Sequence, residues 1–316
     1  MKTNSIAVIG AGAIGLTSAT KLLEAGHRVT VLAREATPNT TSDVAAAYWA
    51  PHEYDSDRRR QWTKTSHAQF LKLREDPATG IDLLDIYELS EEAPDLNYDY
   101  GIEVSPIGAG IFPAPWQGLC IHVPRIDVPT YMPWLFQRVQ QLGGVVKVAT
   151  VKSLQELTGS FDSIVNCTGL GAAPLCADAM FPIRGQVMRV RKFPSLRPAI
   201  ISAHNAAGVA YMIPRRNDVL MGGTFQYYDD KREVDAEIAE GIFERCAAFY
   251  PELRREDILE HRVGLRPGRH EVRLEAEQLP DGTLVVHNYG HAAYGHTLSW
   301  GCALEVVQII EQAAAS

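Results

Sequence analysis

Residues 5–35 open with Ser5-Ile6-Ala7-Val8-Ile9-Gly10-Ala11-Gly12-Ala13-Ile14-Gly15, run through Leu22-Leu23 into Arg28-Val29-Thr30-Val31-Leu32, and end at Arg34-Glu35. An apolar run, a Gly-x-Gly-x-x-Gly turn, apolar residues at helical spacing (Ile14, Leu16, Ala19, Leu22, Leu23) and a second apolar run predict a strand, a helix and a strand. Gly10 permits the tight turn, Gly12 lets the backbone approach a pyrophosphate, and Gly15 lets the helix lie close on the strand. The positive helix N-terminus then faces the anion. The glycine pattern alone is a weak signal; between a strand and a helix it marks a dinucleotide-binding unit. Glu35 stands where a carboxylate would bond the ribose of an adenosine.

Working outward, 316 residues with 46% hydrophobic content suffice for two lobes or one large α/β domain. The formal charge of −8 argues against a nucleic-acid or anionic-membrane surface, and Arg58-Arg59-Arg60 reads as a solvated helix face. No apolar stretch is long enough to span a bilayer, and the chain enters its first strand without a cleavable leader. The five cysteines are scattered without a CxxC pair, which suits a reducing compartment and offers no metal cluster; a cytoplasmic protein is expected.

Beyond the second strand, Thr37 to Asp43 is rich in hydroxyls and leads into Val44-Ala45-Ala46-Ala47 and Tyr48-Trp49. A helix is expected over about 56–75, a weakly periodic module over 76–126, and an amphipathic helix from Pro129 to Leu142. Val145 to Val148 and Asp162 to Gly169 read as strands. From Pro182 to Gly223 the pattern has period two, as in an antiparallel sheet, with Arg215 and Arg216 in a solvated hairpin turn. A helix over Asp235–Phe249, strands near Glu260–Leu265 and Thr283–Gly290, and a last helix from Thr297 to about Glu311 follow. The expected fold is therefore α/β: a Rossmann-like, doubly wound domain (1–55, 144–181 and 280–316) interleaved with an antiparallel-sheet α+β substrate domain (56–143 and 182–279).

Six segments in register carry a resemblance: Gly10 to Gly15, Thr40 to Ala46, Val165-Asn166-Cys167-Thr168-Gly169, Arg184-Gly185-Gln186, Gly264-Leu265-Arg266-Pro267, and His287 to His291 with Gly295 and Trp300-Gly301-Cys302. Together the chain resembles the D-amino-acid oxidase family of FAD-dependent flavoproteins along nearly its whole length. The resemblance implies FAD held by Gly10, Ala11, Gly12, Ile14 and Gly15 at the pyrophosphate and by Arg34 and Glu35 at the adenosine. Thr40, Thr41, Ser42, Ala46, Ala47, Val151, Thr168 and Gly169 would complete the cofactor site. Gly295, His296 and Thr297 would present the N-terminus of the last helix to the pyrimidine side of the isoalloxazine, with Thr297 as cap and His296 adding charge or a hydrogen bond.

For the substrate, a guanidinium offers a carboxylate a rigid two-pronged partner, and Arg266 is such a group in an apolar strand end. An ion pair with a protein carboxylate is the other reading of that arginine. The resemblance gives Tyr211 a hydroxyl on the same carboxylate, Ala293 a carbonyl for the amine, and Tyr48 a place in the side-chain pocket. It implies hydride transfer from Cα to flavin N5 without an essential protein acid or base. The products are a 2-oxo acid, ammonia and, from O2, hydrogen peroxide. His287 and His291 are expected to pack and hydrogen-bond.

Departures from the family leave specificity open. Ala207 stands where vertebrate relatives carry a lid tyrosine, which predicts an open entrance; Tyr48 replaces an aliphatic residue and Ala50 a larger amide residue. Neutral D-amino acids are favoured. Alternatives are a D-aspartate or D-glutamate oxidase, a glycine or secondary-amine oxidase, a D-amino-acid dehydrogenase, a non-catalytic flavin-binding protein, and NAD as cofactor. Partners are a small D-amino acid and O2, with no nucleic acid or membrane; a homodimer is left open.

Overall fold

The computed structural model describes residues 3–50, 56–90, 101–108, 110–112, 116–204 and 208–315. The first apolar run is strand β1 (Ser5–Ile9), the helix-spaced residues form α1 (Ala13–Glu24), and β2 (Arg28–Ala33) lies parallel to β1 in the register Ser5↔Arg28 to Ile9↔Leu32. A short 3-10 turn, Thr41–Val44, precedes α2 (Asp57–Leu73), β3 (Ile81–Ser90), β4 (Val104–Pro106), β5 (Gln117–Ile126) and α3 (Val128–Gln141). Next come β6 (Val145–Val148), β7 (Ser163–Asn166), α4 (Ala172–Cys176), β8 (Phe181–Arg191), β9 (Ala199–His204), β10 (Ala210–Pro214), β11 (Asp218–Gly222) and β12 (Gln226–Tyr227). The chain continues through α5 (Ala236–Phe249), β13 (Ile258–Gly268), β14 (Arg273–Gln278), β15 (Leu284–Tyr289) and α6 (Gly295–Ala315).

These strands form two sheets. One has the order β14-β15-β7-β1-β2-β6 and is parallel except at β14. The other runs β12-β8-β11-β10-β9-β3-β5-β4, with β13 also on β8, and is antiparallel except where β3 meets β9. Strands buried on both faces read as continuous apolar runs, and Ile6, Ala7 and Val8 are fully buried in β1. One apolar core extends from that strand to Ile86, Ile121, Ile201 and Ile213 of the second sheet; a separate one lies between the second sheet and α5.

Three sequence expectations change. Strand β14, placed with the second lobe, pairs with β15 at the edge of the dinucleotide-binding sheet. Its Arg-Leu-Glu-Ala-Glu-Gln sequence buries only Leu274, as an edge strand can. The Arg58-Arg59-Arg60 run is not simply a solvated face: Arg58 pairs with Glu305 of α6 and lies 4.9 Å from the Trp62 ring. Arg215 is buried, with Nε and Nη2 donating to the two carboxylate oxygens of Asp218 at 2.7 and 2.8 Å. Its neighbour Arg216 donates to the Pro77 carbonyl at 2.5 Å.

Helix α6 is buried around its first two turns, His296, Thr297 and Ser299 included, because it is enclosed by α1 and α2. At Gly301 it crosses α2 so closely that a Cβ would coincide with the Trp62 backbone. Gly301→Val therefore forces the helices apart, and the variant should lose roughly 1–3 kcal/mol of stability in urea unfolding. An unchanged midpoint would contradict this packing.

Candidate functional site

Between the sheets lies a cavity of about 810 Å3. Its wall is built from the β1–α1 turn, the end of β2, residues 40–48, the segments after β6 and β7, the inner faces of β8, β10 and β13, and the β15–α6 loop. Every residue assigned from sequence to cofactor or substrate lies on this wall. The parallel strands bring their carboxyl ends to it, where α/β sheets hold ligands.

At the dinucleotide end, Gly10 has φ +111°, and a Cβ there would stand 2.5 Å from the Cys167 carbonyl oxygen. A Cβ on Gly12 would stand 3.1 Å from Ser42 Oγ. Helix α1 starts without a side-chain cap of its own; Ser42 supplies one from the 41–44 turn by accepting the Ala13 N–H at 2.9 Å. The Ile14 and Gly15 amides that follow have no intrahelical acceptor and line the cavity. Thr40 is used differently from the sequence expectation, because its hydroxyl donates to Asp43 at 2.5 Å and its amide does so at 2.9 Å. Arg34 and Glu35 are exposed at the end of β2, Thr41 is exposed on its turn, and Val151 and Gly169 lie on the same wall. The Thr168 hydroxyl donates to Asn166 at 2.8 Å.

A second helix N-terminus reaches this cavity. Helix α6 begins at Gly295, so Thr297 sits inside its first turn and is not its cap; its Oγ1 accepts the Ala50 N–H at 3.3 Å. His296 Nε2 is 3.3 Å from the Ser42 carbonyl, which assigns the ring proton to that nitrogen. Burial lowers the His296 pKa, so the ring is neutral; the expected added charge is absent. Ser42 thus touches both helix termini, through its hydroxyl and its carbonyl. Asn288 Oδ1 and His291 Nε2 are buried on the wall with no partner among the described residues. His287 is packed instead, with Nε2 3.0 Å from Glu277 and its ring against Tyr289.

The opposite end centres on Arg266 of β13. Its Nη1 donates to the Thr224 carbonyl at 3.0 Å, and its Cζ lies 4.2 Å from the Phe225 ring centroid. Among the described residues no carboxylate pairs with it; the ionisable groups facing it are the phenols of Tyr211 and Tyr227. Burial opposes its charge, yet a guanidinium does not give up its proton, so the site calls for an anion. The Tyr211 ring fits over Gly222 and Gly223, where a Cβ would lie 2.5 and 2.8 Å from the hydroxyl. Burial raises its pKa against the pull of Arg266, so the phenol keeps its proton as a donor. Tyr48, in an isolated bridge with Arg125, and Ala293 complete this end. Ala207, the former lid position, lies outside the described residues. Phe225 and Arg232 also line the cavity and were missed, since an exposed aromatic and a lone arginine carry no periodic signal; Gly185 and Asn288, singled out within their segments but given no site role, line it too.

Oriented amides at one end and, at the other, a guanidinium with no anionic partner among the described residues define a dinucleotide-dependent enzyme acting on a small molecule. The chain matches the family of FAD dependent oxidoreductases over residues 5–309 and belongs to it. It is 40% identical over 308 residues to a D-amino-acid oxidase of Rubrobacter xylanophilus, covering 96% of this chain and 94% of the relative. It is 33% identical over 331 residues to the human D-aspartate oxidase, covering 99% and 96%. In fold it resembles the glycine oxidase of Bacillus cereus, with a TM-score of 0.84 at 18% identity over 98% of each chain. FAD is the cofactor of this family, and the wall fits it. The glycine cradle at Gly12 would be filled by any Cβ, two helix termini offer amides, and buried acceptor and donor atoms of Asn288 and His291 are unpartnered.

Gly12→Val fills the cradle and should yield folded protein that purifies without the flavin absorption band; a fully flavin-loaded variant would contradict the cradle. His291 has its pKa lowered to about 3, first by burial and second by Arg59. In the unfolded chain it takes up a proton near pH 6.5, so between that pH and 3 the unfolded state binds more protons and stability falls with acidification. His291→Gln should flatten the decline in unfolding free energy between pH 6.5 and 4. A slope equal to that of the unaltered protein would contradict a buried neutral His291.

Proposed function

We propose that the protein oxidises free D-amino acids, giving a 2-oxo acid, ammonia and hydrogen peroxide, and that it does so in the cytoplasm. The observation that carries this reading is Arg266, a guanidinium on the cavity wall with a carbonyl and a ring for company but no carboxylate among the described residues. FAD held by the glycine turn and the two helix termini would supply the acceptor for the hydride from Cα and the route for the electrons to O2.

This chain's residues do the rest by placement. Arg266 takes the substrate carboxylate, and the protonated Tyr211 hydroxyl donates to the same group. The Ala293 carbonyl accepts from the amine. With those two substituents held, whether the side chain or the hydrogen on Cα points into the pocket beside Tyr48 distinguishes one enantiomer from the other. His291 and His296 are neutral and buried, so no wall histidine acts as an acid at this step. The imine product loses its nitrogen to water once released.

A neutral side chain is supported by the aliphatic wall of Ile201, Val209 and Ile213, and by Arg215, whose charge is already matched by Asp218. The second reading, an acidic side chain, rests on Arg232, an exposed arginine on the cavity wall without an ion pair among the described residues. The chain itself is proposed to divide as 1–55, 144–181 and 280–316 against 56–143 and 182–279, with β14 moved to the dinucleotide-binding lobe.

The test is anaerobic mixing of the flavin-loaded protein with D- and L-amino acids while the flavin absorption is followed. Bleaching by D-isomers alone, fastest with neutral side chains and reversed by air, is expected. Bleaching by L-isomers would overturn the assignment, and a preference for D-aspartate that Arg232→Ala abolishes would establish the second reading. Arg266→Ala should retain flavin and lose roughly 100- to 1000-fold in kcat/KM, the scale of a lost charge-assisted pair in the transition state. Undiminished turnover would remove the carboxylate role.

A further inference from the structure

Alternation along β8 sends Arg184 and Gln186 to one face and Gly185 to the other. The two outer residues are buried and spend their hydrogen bonds on the stretch that follows β11. Arg184 donates to the carbonyls of Lys231 and Glu233 at 3.0 and 2.6 Å, and to the Gln226 side chain at 2.6 Å. Gln186 exchanges two bonds with the backbone of Asp235, at 2.7 and 2.9 Å, and its own amide donates to Thr224 Oγ1 at 3.0 Å. Residues 224–235 are thereby pinned to β8.

Two members of that pinned stretch meet Arg266. The Thr224 carbonyl accepts from Nη1, and the Phe225 ring covers the face of the guanidinium at 4.2 Å. Phe225 remains 41% exposed, so core packing does not account for its position. Gly185 supplies room on the neighbouring strand: a Cβ there would stand 2.6 Å from Nη2 and 2.7 Å from Cζ of Arg266. A long side chain loses rotamer freedom when it grips a ligand, and a receptor ordered beforehand avoids that loss.

We infer that Arg184-Gly185-Gln186 and Phe225 form a positioning device that sets the plane of the Arg266 guanidinium before a carboxylate arrives. This rests on the reading of Arg266 as the carboxylate holder. Phe225 contributes as an aromatic face, so its effect depends on the ring and not on apolar volume. Gly185 contributes by the absence of a side chain.

The experiment measures the dissociation constant of a simple aliphatic 2-oxo acid for the flavin-loaded protein, through the perturbation of the flavin band, together with KM and kcat for a neutral D-amino acid. Phe225→Leu should weaken 2-oxo acid binding roughly three- to thirty-fold, the range of a partly to fully desolvated cation–π contact. Phe225→Tyr should stay within about twofold, because it keeps the ring. Gly185→Ala should weaken binding at least as much as Phe225→Leu, and in both variants KM should rise while kcat changes little. Unchanged binding in Phe225→Leu, or equal weakening in Phe225→Tyr, overturns the inference. If Arg266→Ala leaves 2-oxo acid binding intact, the underlying assignment of Arg266 fails; if Arg266→Ala abolishes binding while Phe225→Leu and Gly185→Ala do not weaken it, only the positioning role fails.

Discussion

The charge on Arg266 is the constraint around which the cavity is organised. A guanidinium placed at the seam of two sheets stays ionised whatever its surroundings, and burial makes an unmatched charge costly. Elsewhere in this chain buried arginines have their donors met internally: Arg215 by the carboxylate of Asp218, and Arg184 by the carbonyls of Lys231 and Glu233 and the side chains of Gln186 and Gln226. At Arg266 the described residues provide a carbonyl, a ring face and two phenols, and no carboxylate. The cost of burying that charge is the physical ground on which Arg266 is proposed to hold a carboxylate.

The other end of the cavity solves a related problem with backbone. Helices α1 and α6 both begin there, far apart in sequence, and Ser42 joins them through one hydroxyl and one carbonyl. Oriented amides concentrate positive potential without introducing a titratable cation, and the burial that keeps His296 neutral preserves that arrangement. The interleaving of the chain follows: strands β6, β7 and β15 must return to the first sheet so that their loops, and the start of α6, close over the same space.

Much of this was legible in sequence because it obeys local rules. The β1–α1–β2 unit is announced by apolar runs around Gly10, Gly12 and Gly15, and the period-two stretch after Pro182 does form antiparallel strands. The recognisable site residues converge on one cavity. What escaped depends on contacts between distant segments. Strand β14 has almost no apolar signal, since an edge strand needs little burial on its outer side. Arg215 reads as a turn residue until Asp218, three residues on, is found beneath it. Thr297 has the composition of a cap, but α6 starts two residues earlier and its hydroxyl serves Ala50. Gly185 on β8 and Phe225 in the connection between β11 and β12 acquire meaning only through Arg266 of β13.

A crystal structure of the flavin-loaded protein soaked anaerobically with a 2-oxo acid would show where the carboxylate is held. The carboxylate should be seated on the Arg266 guanidinium within hydrogen-bond distance of the Tyr211 hydroxyl, with the Phe225 ring still over the guanidinium face. A 2-oxo acid held elsewhere in the cavity, with Arg266 turned onto a protein carboxylate, would contradict the role proposed for Arg266.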